Sequence, residues 1–395
     1  MKPSSFRRIL SLLCALALLL PLAAAAEDSS ALDSAADGIF KKRKAHGGMV
    51  VAAKDGEIVY QYCYGYANEM ADEKVSPETY FRLASVSKLV TAVAAMRLVE
   101  TGRLDLDENL GKILGGDQPY FAAAPKYPSV SLTPRHLMTH TSSINDKGGF
   151  AKNLPLRDVL DVKKKNRSGF ASEKPGTNYR YSNYGAGIVG CILEAVTGQR
   201  ITDAARELLF DPMGIDAAYH PTLLQQPELI TTTYKYGVGM GKGMITRSYK
   251  LKEKYRETVN VDKDYLESYG GLWIRGADLC KIGIMLCDYG LYEGQRILQE
   301  DTVREMISSQ AGKGGITVDS PYGLNVERVT NLVSGKMLYG HQGMADAVLC
   351  NLYFDPETRF VFALVTNGCN TKAKEDRICL LARDLFGLLW DHYNN

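Results

Sequence analysis

Ser85-Val86-Ser87-Lys88 sets a hydroxyl and an amine three residues apart at the head of an apolar run, Val86 to Val99, that reads as a helix. Side chains at that spacing share one helical face and can meet. Serine is a poor nucleophile at neutral pH, but a lysine desolvated against apolar neighbours has a lowered pKa and can accept the hydroxyl proton. The helix start adds positive potential and free backbone N–H groups. Alone, S-x-x-K reads first as a capping serine beside a surface lysine, so the chemistry depends on partners elsewhere in the chain.

Two further groups qualify. Tyr181-Ser182-Asn183, about 95 residues on, precedes the small-residue helix Tyr184-Gly185-Ala186-Gly187-Ile188. Its phenol can relay a proton to a leaving group and its amide can hold a substrate carbonyl or amide. His341-Gln342-Gly343 stands before an apolar β-run, where histidine can support charge or hydrogen bonding and glycine lets a substrate backbone approach. A G-x-S-x-G elbow is absent, which argues against the α/β-hydrolase arrangement of serine chemistry. His136 and His140 could share a metal, but neither a glutamate base nor a third ligand accompanies them, and no metal or cofactor is expected.

Positioning these groups falls to strands at both ends of the chain and helices between. Met49 to Ala53 and Ile58 to Tyr62 flank Lys54-Asp55-Gly56, a tight-hairpin signal. Ala347 to Tyr353 and Phe360 to Val365 flank Asp355-Pro356-Glu357-Thr358 in the same manner, and a last helix is expected from about Asp376 to Trp390. The middle reads as helical: Val86 to Thr101 stopped by Gly102, and a short helix with Thr133 as cap and Pro134 in its first turn. The fold class expected is α/β (α+β), an antiparallel sheet formed by N- and C-terminal segments flanked by helices, with a mainly helical subdomain inserted at roughly 105–260. The glycines at 237, 239, 241 and 243 lack the following Ser or Thr and the leading strand of a phosphate loop and read as a flexible loop.

In this order and spacing, the three groups resemble the motifs of the penicillin-recognising serine hydrolases: class C β-lactamases, D-alanyl-D-alanine carboxypeptidases and related esterases and D-aminopeptidases. Phe81-Arg82-Leu83-Ala84, Leu132 to Ser142, Lys174-Pro175-Gly176-Thr177, Gly270-Gly271-Leu272 and Thr366-Asn367-Gly368 extend the likeness over nearly the whole mature chain. The resemblance implies a β-lactamase/transpeptidase-like fold and an acyl-enzyme on Ser85. It also implies activation by Lys88, a proton shuttle at Tyr181, substrate held by Asn183, and a third wall at His341 and Gly343. The oxyanion hole would use the N–H groups of Ser85 and Met344. The expected substrate is a small molecule or peptide, peptidoglycan-derived compounds included: a D-amino-acid peptide, an ester or a β-lactam. The alternative is a penicillin-binding sensor or scavenger that is acylated with little turnover. Two positions depart from the pattern. His-Gln-Gly replaces the usual Lys-Thr-Gly or His-Thr-Gly and removes a hydroxyl that often meets a substrate carboxylate, and Ser143 stands where glycine normally follows.

Lys2, Arg7 and Arg8 before the apolar stretch Ile9 to Leu20, with Ala24-Ala25-Ala26 after it, read as a secretory signal peptide over 1–26. The expectation is a single hydrolase domain over 27–395, exported to the periplasm or beyond, with no stable membrane span after cleavage. Losing those three basic residues leaves 44 of 47 against 45 acidic ones, a balance that implies no nucleic-acid partner. Seven of the eight cysteines then remain, an odd number without C-x-x-C spacing, so neither a zinc site nor a disulfide scaffold is expected.

Overall fold

The computed structural model describes residues 30–115, 122–146, 155–160, 169–234, 244–245, 255–260, 263–345, 348–373 and 377–394. The signal-peptide reading and the Gly237 to Gly243 loop fall outside them.

In chain order, the elements that build the site are helix α1 (30–42) and strands β1 (Gly47–Lys54), β2 (Glu57–Asn68), β3 (Glu73–Lys74) and β4 (Tyr80–Arg82), followed by helices α2 (Val86–Glu100), α3 (Pro134–Met138) and α4 (Asn183–Thr197). Strand β5 (Ala217–Ala218), helix α5 (Tyr265–Ser268), strand β6 (Trp273–Arg275) and helix α6 (Gly276–Cys287) come next. Strands β7 (Glu327–Val329), β8 (Leu338–Ala345), β9 (Val348–Asp355) and β10 (Phe360–Gly368) and helix α7 (Leu380–Asn394) complete the set.

Seven strands form one antiparallel sheet in the order β7-β8-β9-β10-β1-β2-β3, so the first strand lies beside the last. Both faces are covered, and the period-2 alternation of side chains divides each central strand between two cores. On β1, Val50 and Ala52 join α1 and α7 through Phe40, Leu385 and Trp390, while Met49, Val51 and Ala53 face α6 and α2. Phe360, Phe362 and Leu364 of β10 face the first core and Val361, Ala363 and Val365 the second. At about 25 cal/mol per Å2 of apolar surface, each such Phe or Leu contributes roughly 1.5–3 kcal/mol. The β1–β2 hairpin turns at Asp55 (φ 53°) and Gly56 (φ 90°), the left-handed pair that an Asp-Gly turn supplies.

A separate three-stranded sheet, β4-β6-β5, lies beside the helical middle, which includes α3 and α4. Helix α3 begins as expected, with the Thr133 hydroxyl accepting from His136 N–H and proline in the first turn. The last helix runs about four residues later than the sequence suggested, over Leu380–Asn394, because Cys379 just before it is held in a bridge with Ala373 and gives its N–H to Gln342 Oε1; Leu381, Leu385, Leu389 and Trp390 then face the sheet. All seven cysteines of the described residues are free thiols.

Candidate active site

Strand β4 delivers the chain to the site. Leu83 N–H donates to Leu272 O at 2.8 Å, and Arg82 Nε donates to Gly270 O at 2.9 Å. Ala84 then turns with φ +46°, a left-handed conformation that costs a non-glycine residue energy, and the chain enters α2 with Ser85 at the N-cap. Helix α2 is buried almost all round, so Lys88 has no solvent exposure at all.

Lys88 Nζ and Tyr181 Oη each stand 2.9 Å from Ser85 Oγ. Lys88 also donates to the Tyr269 carbonyl at 2.7 Å. That carbonyl is within reach because α5 packs directly on the small residues of α4. A Cβ added at Gly190 would lie 2.3 Å from Ser268 Cβ. Burial pushes the Lys88 ammonium down to about 7, with Arg82 adding to the effect and Asp146 and Glu327 opposing it. Burial likewise drives the Tyr181 phenol far above its usual range, so it is a neutral hydroxyl at any working pH.

The second motif is fixed by a residue that the sequence reading passed over. Asp146 accepts from Ser182 Oγ (3.2 Å), Asn183 N–H (3.0 Å), Asn183 Nδ2 (2.9 Å) and Tyr184 N–H (3.1 Å), and so closes the N-terminus of α4 with a charge of the sign its dipole favours. Ser182 caps the same helix through Gly185 N–H. His140 lies under Tyr181 at 4.4 Å between ring centroids and accepts from Ser182 N–H, with burial holding its pKa well below the usual value.

The third motif lies on β8. A Cβ at Gly343 would come 2.4 Å from Leu83 O and 2.9 Å from Ser85 N, so only glycine lets this strand pass so close to the nucleophile. His341 is buried, and its Nδ1 donates to Gln342 O at 2.7 Å, which leaves Nε2 as an acceptor without a hydrogen-bond partner among the described residues. Burial lowers its pKa, against the pull of Glu327. Met344 is about half exposed at the cleft rim.

Between these walls lies a cleft of about 500 Å3, which Ser85, Tyr181, Asn183, His341 and Met344 line. Gly343 contributes through its packing against Leu83 and Ser85. Sequence reasoning missed Tyr179, Tyr322, Glu327 and Arg377, which also line it. The tyrosines stand outside any motif, although Tyr179 is two residues before Tyr181 and on the same side of an extended segment; the other three gave no local signal. Among the described residues no group of His, Cys, Asp and Glu is arranged to hold a metal ion.

A family model described as Beta-lactamase matches residues 32–382. The chain belongs to the Beta-lactamase family. Within the family it is similar to esterase EstB of Burkholderia gladioli, at 31% identity over 54% of this chain and 56% of that one. It is similar to penicillin-binding protein 4 of Amycolatopsis lactamdurans at 25% identity, over 84% and 83% of the two chains. The D-aminopeptidase of Brucella anthropi shares 23% identity over 84% of this chain and 58% of its own length. The matches span only about half the length of the first curated relatives. In fold, the chain is similar to the hydrolase EstCE1 (TM-score 0.68, 19% identity, covering 91% of this chain and 99% of the other). D-amino acid amidase from Ochrobactrum anthropi SV3 gives a TM-score of 0.67 at 20% identity, covering 92% and 99%.

Both departures from the Beta-lactamase motifs have a structural account. Ser143 takes φ +63°, the conformation glycine adopts without cost, and its hydroxyl donates to Glu173 O at 2.5 Å. Gln342 ties β8 to the segment before α7: Nε2 donates to Arg377 O (2.9 Å) and Oε1 accepts from Cys379 N–H (3.0 Å).

Proposed function

We propose that the protein is an exported serine hydrolase that opens an amide or ester bond through an acyl intermediate on Ser85. One observation carries the reading: Ser85 Oγ stands within 2.9 Å of both a buried lysine whose ammonium is held down to about 7, so that the neutral amine is available at working pH, and a phenol that stays protonated. Lys88 takes the Ser85 proton as Oγ attacks the carbonyl carbon, and Tyr181 passes a proton to the departing nitrogen or oxygen. Asn183 holds a substrate carbonyl or amide. The N–H groups of Ser85 and Met344 receive the oxyanion. His341 and Gly343 form the opposite wall.

The substrate class follows from the relatives, whose names span esterase, D-aminopeptidase and penicillin-binding protein. Esters and D-amino-acid amides or peptides, peptidoglycan-derived ones included, are its first candidates. Without the motif hydroxyl, β-lactam turnover is expected to be weak. Export rests on residues 1–26, and no helix of the described residues is long and apolar enough to cross a membrane.

Intact-mass analysis with a fluorescent penicillin and an activated ester tests the reading. Wild type gains an adduct that Ser85→Ala lacks, and the ester adduct decays rapidly. A penicillin adduct that persists while no ester or amide turns over indicates a sensor instead. Equal ester hydrolysis by the two proteins overturns the assignment of Ser85.

A further inference from the structure

Glu327 belongs to no motif, yet the strand wall of the cleft converges on its carboxylate. Tyr322 OH donates to Oε1 at 2.8 Å, while Tyr353 OH (3.1 Å) and Gln342 N–H (3.0 Å) donate to Oε2. His341 Nδ1 lies 3.7 Å from Oε1. The backbone ladder between β7 and β8 spans Leu338 to Gly340 only. At Gln342, the next amide on that edge, the Glu327 side chain replaces the missing strand. Backbone N–H groups two residues apart on a strand point to the same edge, so fixing Gln342 N–H also aims Met344 N–H.

The charge of Glu327 reaches the reacting groups as well as the backbone. It acts on Lys88, His341 and Tyr181. Other titratable and charged groups around Lys88 are Tyr181, Tyr269 and His140, with Asp146 working alongside Glu327 and Arg82 against it. Around Glu327 itself stand Tyr179, Tyr322, Tyr353 and His341, with Arg328 and Arg377 on the adjoining side pocket.

We infer that Glu327 is a positioning residue for acyl transfer: it holds the β8 edge whose Met344 N–H faces the oxyanion, and it is a fixed counter-charge for the ammonium that Lys88 becomes during attack. The inference rests on the Ser85 reading above. In that step the Ser85 hydroxyl proton moves to Lys88 Nζ and the Oγ–C bond forms. The bond from the carbonyl carbon to the leaving atom then breaks, and that atom gains a proton through Tyr181, which Lys88 replenishes by returning to the neutral amine. The positive charge on Lys88 is therefore transient, and a carboxylate already held by three donors can stabilise it without rearranging.

The test follows kcat/KM and kcat for an activated ester between pH 5 and 9 in wild type, Glu327→Gln, Glu327→Ala and Ser85→Ala, with Tm measured for each. Glu327→Gln is expected to move the acid limb to lower pH, because Lys88 without this counter-charge sheds its proton sooner. It should also lower the plateau kcat roughly tenfold with KM little changed. Glu327→Ala should show the same displacement and a larger loss. A purely structural carboxylate would leave the acid limb of Glu327→Gln in place, its activity following Tm alone, and that result overturns the inference. Activity surviving in Ser85→Ala would instead overturn the reading beneath it, so the two failures are distinct.

Discussion

The two walls of the cleft are built on opposite plans. The helical wall, with Ser85, Lys88, Tyr181 and Asn183, is built on two helix starts: Ser85 at the N-cap of α2 with Lys88 three residues on, and Ser182 at the N-cap of α4, whose first residues Asp146 also holds. The strand wall, with His341, Gly343 and Met344, is set by long-range neighbours, among them Glu327, Tyr322 and the segment around Arg377 and Cys379. The first holds the atoms proposed to react, with its Ser-x-x-Lys and Tyr-x-Asn motifs intact and Ser143 as its one departure; the second holds the His-Gln-Gly departure. On the proposed function, substitutions in the two walls should differ in how far they change the reaction itself and the choice of substrate.

The sharpest break falls on the helical wall. Lys88→Met is expected to lower kcat by about 10^4-fold or more, whereas wild-type kcat/KM should fall about tenfold per pH unit below about 7 as Lys88 becomes protonated. The same substitution should raise Tm at neutral pH. The folded-state pKa of Lys88 lies below its ordinary 10.5, so between the two values the unfolded chain binds a proton that the native state does not. Stability therefore rises with pH across that window, and the buried amine is a net cost near pH 7. A thermal melt of Lys88→Met at pH 7 checks the sign.

Gly343→Ala comes next. With Leu83 O only 2.4 Å from the new Cβ, β8 must shift away from Ser85, and a displacement near 1 Å costs about 10^2-fold in kcat/KM. Unchanged ester kinetics would show that the close approach of the walls is dispensable. Asp146→Ala should act mainly on stability, since it leaves the first N–H groups of α4 without their acceptor. A loss of about 1–3 kcal/mol in denaturant unfolding is expected, with a fall in kcat/KM as Asn183 loosens. Gln342→Thr should be the mildest, within a few-fold on neutral esters. By restoring a hydroxyl to the third motif, it should raise acylation by carboxylate-bearing penicillins relative to wild type. An equal change on both substrates would show that the departures in the strand wall do not govern choice.

This division also explains what the sequence could disclose. Asp55-Gly56 declared its hairpin, and Thr133-Pro134 its helix, because the signals are local and the physics of caps and left-handed turns is strict. Apolar β-runs around turn signals at both ends of the chain announced the sheet. Asp146 and Glu327 gave no such sign: each is an acidic residue whose meaning comes from partners brought near by the fold, 36 to 38 positions away for Asp146 and up to 26 for Glu327. The four-residue error in the last helix has a related cause, since its start follows the contacts of Cys379 with Ala373 and Gln342, which the local sequence does not show.

The pairing of β1 with β10 joins strands about 300 residues apart, and β8 hangs from β10 only through β9. A ribosome therefore releases Ser85 and Lys88 long before the strand that completes their cleft exists, and the emerging chain is chemically silent until its final quarter is made. Loop closure on that scale slows folding. On the proposed export, it would also give the polypeptide time to remain threadable, with its nucleophile assembled only where the whole sheet can close.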